Sequence, residues 1–369
     1  MHSSSTSGSR LSLNSFFRAL PIKTLVLSTA LIPFSINATK TNQYNAVVNS
    51  SKLTVVAVSN PSIVFKDGRF KHGFGYDLAH NYAQSLNVKL DFQTVPDNAT
   101  ALKMVAQGKA NFAITTANMQ TIEAKQLTSF SASCGDFNSL KKNGLNTELN
   151  WVFKQAEDPL TATASGFVCQ SKQNGATQQL AAFYNRNVVK QDDWDVIQRD
   201  LSNRLPIYKA SFQRSAQQYD LDWHLLAAIA YQESYLKPDS VSPTGVRGLM
   251  MLTNGTAKEM GVRNRNDPAQ SIQGGAKYFD MMLSRYSYIS NPDRRWYALV
   301  AYNMGPGAVE SIQKRIKAQG KDPNDWMNLY NYLTRNQAQN GRYKQAVQYV
   351  TRIRAYLEHI KTTPRLLEI

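Results

Sequence analysis

DWHLLAAIAYQESYLKPDSVSPTGVRGLMMLTN (residues 222–254) joins an apolar helical pattern to a loop rich in Ser, Pro and Gly. Asp222 is suited to cap the start of the helix, because its carboxylate can accept a backbone N–H. Pro238 disfavours helical geometry at the residue before it, so the helix is predicted to end near Ser234 or Tyr235. The stretch therefore predicts a buried helix that runs into a turn-rich segment.

Glu233 lies on the apolar side of that helix. Leu226, Ile229 and Ala230 precede it by seven, four and three residues, a spacing that puts all of them on one face. The last turn of a helix is also its electrostatically negative end. Desolvation and the helix dipole both raise the pKa of a carboxyl group, and an acid that stays protonated near neutral pH can act as a general acid. The open alternative is a partly buried glutamate whose carboxylate accepts N–H groups of the following loop.

Several separated motifs occur in a fixed order along the chain. They are RLPIY (204–208), DWHLLAAIAYQES (222–234), SPTGVRGLMMLT (242–253) and AYNMG (301–305). In this order they resemble the lysozyme-like catalytic domain of the soluble-lytic-transglycosylase family, and within it the membrane-bound F-type branch. The resemblance implies an all-α, lysozyme-like domain over residues 204–369 that acts on the glycan strands of peptidoglycan.

Glycoside cleavage usually needs two carboxylates that flank the bond, and only one can be assigned here. Asp239 is close in the sequence, but it lies on a loop and nothing directs it toward Glu233. A single carboxylate suits a substrate-assisted route. In the family, the acetamido group of N-acetylmuramic acid stabilises C1, and the C6 hydroxyl of the same sugar attacks. The resemblance thus implies a lytic murein transglycosylase that cleaves the MurNAc–GlcNAc β-1,4 bond and leaves 1,6-anhydro-muramoyl ends, with Glu233 as the single general acid and base.

Three other functions stay open. A lysozyme-type peptidoglycan hydrolase would need a positioned water and would leave a reducing end. An inactive peptidoglycan-binding protein would keep the cleft without turnover. A solute sensor would use the front part of the chain, over residues 51–185.

The resemblance and the residue types together assign substrate contacts to eight residues: Ser234, Ser242, Gly248, Leu249, Met250, Met251, Tyr302 and Asn303. Ser242 can donate a hydrogen bond to the acetamido group or to Glu233. Tyr302 can hold the carboxyl or the acetamide through its hydroxyl while its ring packs on a sugar face. Asn303 offers a donor and an acceptor for the same region, or it holds the loop that follows Glu233.

The motif at 248–251 is expected to form one wall of the cleft. Gly248 allows the backbone to approach a sugar closely. Many members of the family have Gln where Met251 stands, whereas the F-type members share the Met-Met form, so the resemblance does not assign a polar substrate contact to this position. Packing in the core explains Met250 and Met251 at least as well as substrate contact does.

The closing helix is predicted over residues 343–360. The family has a Tyr-Val…Ile…Tyr pattern there, present in this chain as Tyr349, Val350, Ile353 and Tyr356. Core packing is the interpretation that we favour for all four side chains.

The front part of the chain alternates strand and helix patterns. Strands are predicted at 53–59, 88–95 and 110–115, and helices at 76–86 and 99–107. Such alternation indicates an α/β layer with a largely parallel sheet. The segments GFGYDLAHNYAQSLNVKLDF, ALKMVAQGKANFAIT and TIEAKQLTSFS resemble the first lobe of the amino-acid-binding, family 3 periplasmic solute-binding proteins.

This front module departs from that pattern in two ways. Ala124 stands where the family usually has the Arg that grips a ligand carboxylate, and some 70 residues after Phe130 are too few for a second lobe. We therefore predict an α+β chain with two domains. A truncated, one-lobed periplasmic-binding-protein-like α/β module occupies 40–189, and a charged linker at 190–203 joins it to the all-α lysozyme-like domain. The missing lobe favours a spacer or docking role over ligand binding.

Cys134 and Cys169 are the two cysteines of the chain. In an exported protein an even number of cysteines is compatible with one disulfide, which would close the site of the missing lobe. Two unrelated buried thiols are the alternative.

The net charge of +16 predicts attraction to polyanions. No nucleic-acid motif accompanies it, so we expect no nucleic-acid partner. Residues 1–39 combine a basic start with an apolar run and predict a secretory signal peptide or an N-terminal membrane anchor. The resemblance then implies export to the periplasm and peripheral association with the outer membrane. None of the five histidines clusters with cysteines or acids at ligand spacing, so neither a metal nor a cofactor is expected.

Overall fold

The front half of the chain folds as alternating helices and strands. The computed structural model describes residues 42–60, 62–67 and 70–367, so the predicted signal or anchor at 1–39 lies outside the described residues. The front elements are α1 (Gln43–Ser50), β1 (Lys52–Val58), β2 (Phe65–Asp67), β3 (Phe70–His72), α2 (Phe74–Ser85), β4 (Lys89–Val95), α3 (Asn98–Ala106), β5 (Phe112–Thr115), α4 (Met119–Glu123), β6 (Thr128–Ser131), α5 (Phe137–Lys142), β7 (Asn150–Phe153), α6 (Pro159–Gln173) and α7 (Ala176–Phe183).

Five of these strands form one sheet in the order β4-β1-β5-β7-β6. β1 pairs in parallel with β4 and β5, whereas β7 pairs antiparallel with β5 and β6. The sheet is therefore mixed, and the expectation of a largely parallel sheet holds only for three strands. Parallel neighbours need a crossover connection, and β7 instead runs back along the sheet beside β5 and β6. Cys134, just after β6, forms a disulfide with Cys169 of α6, with a Cα–Cα distance of 5.0 Å.

The rest of the described chain consists of helices joined by loops. Its helices are α8 (Gln191–Gln218), α9 (Trp223–Ser234), α10 (Asn254–Met260), α11 (Pro268–Arg285), α12 (Asp293–Met304), α13 (Pro306–Ala318), α14 (Trp326–Asn336), α15 (Gly341–Thr362) and α16 (Pro364–Leu367). Among the described residues, no helix is both long enough and apolar enough to cross a bilayer.

The segment predicted as a linker, 190–203, is helical and continues into the helix that follows it. Both belong to α8, which contains Pro206 in its interior. A buried stripe at helical spacing, Ile197, Leu201, Leu205 and Phe212, runs along the whole helix. Burial of that stripe stabilises one long helix across the predicted boundary.

The module and the helical part share one hydrophobic core. Phe183 at the end of α7 packs edge-on against Trp296, Trp326 and Tyr330, with ring centroids 5.2–5.4 Å away. The described residues, from 42 to 367, accordingly belong to a single compact unit.

Candidate active site

The helix that carries Glu233 begins and ends where its sequence predicts. The Asp222 carboxylate caps the start of α9, and Tyr235 adopts a left-handed conformation (φ 54°) at its end. The side chains of Leu226, Ile229 and Ala230 are fully buried. The apolar face of α9 therefore anchors the helix in the core and fixes the position of its last turn.

Glu233 is partly buried and has a strongly perturbed pKa. Loss of hydration raises the pKa of this carboxyl to about 7, against an opposing contribution from a hydrogen bond. The Tyr349 hydroxyl donates that hydrogen bond to Oε1 over 2.6 Å. Near neutral pH the carboxyl therefore exists in both protonation states, as a group that first gives and then takes a proton requires.

Among the described residues, burial and the Tyr349 hydroxyl are the influences that shift the pKa of Glu233, and no acidic side chain contributes. Asp239 is exposed on the loop after α9. Within the described residues, Tyr349 is therefore the side chain identified as a hydrogen-bond partner of the Glu233 carboxyl.

Tyr349 is the site residue that the sequence argument did not identify. It lies on α15, 116 residues from Glu233 along the chain. The four residues of the Tyr-Val…Ile…Tyr pattern are all buried, as expected for core packing, with exposures of 4% for Tyr349 and Tyr356 and 0% for Val350 and Ile353. A buried tyrosine usually finds a partner for its hydroxyl, so the sequence could have indicated a polar partner for Tyr349 but not that this partner is Glu233.

Ser234 connects the end of α9 to the 248–251 segment. Its side chain is buried, and its hydroxyl is within hydrogen-bond distance of the carbonyl oxygens of Ala230 (3.1 Å) and Leu249 (2.9 Å). Leu249 and Met250 are also fully buried, whereas Met251 is partly exposed. Ser234 therefore holds the wall segment, residues 248–251, against the helix that carries Glu233.

The backbone of the same segment is fixed by Gly248. Its φ is 86°, and a Cβ there would lie 1.9 Å from the carbonyl oxygen of Arg265. The left-handed conformation and this close approach both require glycine. Contact with Arg265 thus accounts for the glycine without a sugar.

Tyr302 lies near Glu233 but is bonded elsewhere. Its hydroxyl donates to the carbonyl oxygen of Met250 over 3.0 Å, and its ring packs 5.1 Å from that of Tyr278. Burial, and then the charge of Glu233, raise the pKa of the Tyr302 hydroxyl. Tyr302 therefore supports the wall segment beside the carboxyl.

Ser242 and Asn303 are two further predicted substrate contacts, and neither forms a hydrogen bond with Glu233 in the described part of the chain. Ser242 sits in a turn in which its hydroxyl accepts the backbone N–H of Val246 over 3.1 Å and lies 3.0 Å from that of Thr244. Asn303, in the last turn of α12, forms no side-chain hydrogen bond to another residue in the described part of the chain.

His224 lies in the first turn of α9. The His224 ring stacks on Trp223 and pairs with Asp222 over 2.7 Å, and the side chain is partly buried. Within the described ranges, no group of three or more His, Cys, Asp and Glu side chains could hold a metal ion.

These features describe an α/β module followed by a helical part in which an apolar helix, α9, carries the partly buried Glu233 near its end. Residues 210–324, about a third of the chain, match the family model described as "Transglycosylase SLT domain". The chain is similar to Membrane-bound lytic murein transglycosylase F of Stutzerimonas stutzeri (strain A1501), with 39% identity over 246 residues, 63% of this chain and 48% of the relative. The protein of the same name from Alcanivorax borkumensis is 34% identical over 292 residues, 75% of this chain and 61% of the relative. The predicted resemblance to F-type lytic transglycosylases is thereby confirmed.

The chain spans about half the length of the first of these curated relatives. An ancestral cationic amino acid solute-binding protein, AncCDT-1, aligns with 39% of this chain and 100% of its own at 13% identity and a TM-score of 0.31.

Proposed function

We propose that this chain is a lytic murein transglycosylase that cleaves the MurNAc–GlcNAc β-1,4 bond of peptidoglycan and leaves 1,6-anhydro-muramoyl ends. The observation that carries the proposal is the Glu233 carboxyl, partly buried, with its pKa raised to about 7 and held by Tyr349. The match of residues 210–324 to the transglycosylase family supports it.

In the first step Glu233, protonated, donates its proton to the glycosidic oxygen as the bond to C1 breaks. The substrate's own acetamido group stabilises C1, because no second carboxylate acts beside Glu233 in the described residues. In the second step the ionised Glu233 accepts the proton of the C6 hydroxyl, which attacks C1. The proton returns to Glu233, so the carboxyl ends the cycle as it began and no water is consumed.

The Tyr349 hydroxyl has a defined part in this cycle. A hydrogen bond donated to Oε1 is stronger when Glu233 is ionised than when it is protonated. It therefore stabilises the carboxylate formed by the first step and offsets part of the desolvation cost. The Asn303 amide, Ser242 and Tyr302 are proposed to bind the sugar, with Ser234, Gly248, Leu249, Met250 and Met251 shaping the wall.

The setting of this reaction follows from the same proposal. The substrate is an envelope polymer, so the protein acts in the periplasm, associated with the membrane peripherally or through the segment at 1–39. The functional division into a front module at 40–189, a connection at 190–203 and a catalytic domain at 204–369 belongs to the proposal as well. No nucleic acid takes part.

The test is mass spectrometry of the sugar products released from purified peptidoglycan by the wild type and by Glu233→Gln. Muropeptides that end in 1,6-anhydro-muramic acid, absent with the variant, are the expected result. Reducing ends would instead identify a lysozyme-type hydrolase. Binding to peptidoglycan without any release by the wild type would identify a wall-binding protein.

A further inference from the structure

Arg354 is a charged side chain with no exposure to solvent. It lies on α15 and is one of the largest fully buried side chains of the chain. Its Nη1 donates to Glu358 Oε2 over 2.8 Å, one helical turn further on. A buried charge is costly unless it is paired, so loss of these partners would be unfavourable. Nε of Arg354 has no hydrogen-bond partner among the described residues, which leaves Nη1 and Nη2 as the atoms that bind.

Its other partners come from the front module. Nη2 of Arg354 donates to the backbone oxygen of Asn185 over 2.6 Å, and the guanidinium lies 5.5 Å from the centre of the Tyr184 ring. Arg186 pairs with the second oxygen of Glu358 over 3.4 Å. β2 and the turn at 186–188 also pack on α15. One face of α15 is thus bonded to the segment that leaves the module.

A different face of α15 presents Tyr349 to Glu233. Tyr349 and Arg354 are five residues apart, which places them about 140° apart around a helix. α15 packs against α9, which carries Glu233. The helix is therefore held between the module on one side and the candidate acid on another.

We propose that Arg354 is a positioning residue: it fixes α15 against residues 184–186 so that the Tyr349 hydroxyl stays within hydrogen-bond distance of Glu233. A shift of α15 along or about its axis would leave the Arg354 charge buried without its partners, and this penalty opposes such a shift. The front module then contributes to the geometry of the catalytic group without touching the substrate. This inference rests on the proposed function of Glu233, but its test does not need turnover.

The test is a titration of the Glu233 carboxyl by carbon-13 NMR in full-length protein labelled at its eight glutamates, with the signal assigned by its loss in Glu233→Gln. In Arg354→Met the Tyr349 hydrogen bond weakens, and the pKa of Glu233 rises by about half a pH unit. In turnover assays kcat falls about fivefold while KM changes less, because the group is misplaced and substrate contacts are kept.

Two further variants separate positioning from simple loss of charge. Arg352→Met removes the same charge from the same helix at a partly exposed position, and the pKa of Glu233 should not move. Arg354→Met combined with Glu358→Met removes the buried pair together and changes no net charge. This pair also serves as the test if the single variant does not fold, since an apolar replacement of both partners is tolerated better than an unpaired charge.

Tyr349→Phe provides the decisive comparison. If Arg354 acts through Tyr349, Tyr349→Phe raises the pKa of Glu233, and adding Arg354→Met gives no further rise. Additive shifts, or an unchanged pKa in a folded Arg354→Met or in the paired variant, would overturn the proposal. If the titrations behave as expected but no glycan is cleaved, the positioning role stands and the proposed reaction fails.

Discussion

Glu233 and Asp293 are carboxyls whose pKa is raised to about 7, but for different reasons. Glu233 is desolvated at the end of an apolar helix, and its only other influence among the described residues is the Tyr349 hydroxyl. Asp293 is also desolvated, but Asp325, Asp77 and Asp322 add repulsion. One carboxyl is isolated, whereas the other belongs to an acidic cluster.

The surroundings of the two carboxyls differ as well. Asp293 accepts the backbone N–H of Trp326 over 2.8 Å and lines a cavity of about 640 Å³ between the module and the helical part. Its bond joins two helices, which is a structural task. Glu233 instead accepts a hydrogen bond from the Tyr349 hydroxyl. Such a bond is stronger when the carboxyl is ionised than when it is protonated. A raised pKa alone therefore does not distinguish a catalytic acid from a structural one.

The largest effect is expected from Glu233→Gln. This change keeps the size of the side chain and removes the proton donor and acceptor, so turnover should fall by about a thousandfold or more. Release of soluble muropeptides from peptidoglycan measures it. The exposed Glu259→Gln is the matched control and should retain full activity. Equal loss in both variants would contradict the assignment.

Tyr349→Phe should have the next largest effect. Loss of the hydroxyl removes the bond that stabilises ionised Glu233, so kcat falls about tenfold. That bond lowers the pKa of Glu233, so its loss in the variant raises the pKa. The alkaline limb of the pH–rate profile should therefore move to higher pH. A pH–rate profile of kcat/KM measures the shift. An unchanged profile would mean that Tyr349 serves packing alone.

Tyr302→Phe is the comparison for Tyr349→Phe, because the wild-type Tyr302 hydroxyl donates to the Met250 carbonyl oxygen and not to Glu233. We expect a loss of about 1 kcal/mol in the free energy of unfolding from one lost hydrogen bond, and roughly a threefold lower kcat from a looser wall. The pH–rate profile should keep its limbs. Thermal denaturation and the same kinetic series test both statements, and a displaced alkaline limb would count against them.

Local rules predicted much of this site. The cap at Asp222, the end of α9 at Ser234 and the apolar face beneath Glu233 all follow from spacing and from Pro238, and the structure confirms them. Such rules act within about a dozen residues, because they describe one helix and its ends.

What the sequence could not provide were partners far apart in the chain. Helical periodicity places Tyr349 on a buried face but does not say which group it meets across the core. The approach of Gly248 to the Arg265 carbonyl, and the burial that joins the predicted linker to the next helix in α8, depend on tertiary packing in the same way. These contacts determine which groups surround Glu233 and how the predicted linker continues into the helix that follows it.

The smallest effect on turnover is expected from Asp293→Asn, which should change kcat less than twofold. Its effect on stability depends on pH. A carboxyl whose folded pKa is raised from 3.8 to about 7 stabilises the fold below its unfolded pKa, and this contribution is lost as the pH rises through 7. Asn keeps an acceptor for the Trp326 N–H and cannot ionise, so the variant should be more stable than the wild type at alkaline pH. After allowance for partial exposure we expect about 1–2 kcal/mol, and no advantage at about pH 4. Thermal denaturation of both proteins across this range measures the difference. A pH-independent gap would remove the electrostatic explanation, and a loss of turnover as large as that of Glu233→Gln would erase the distinction between the two carboxyls.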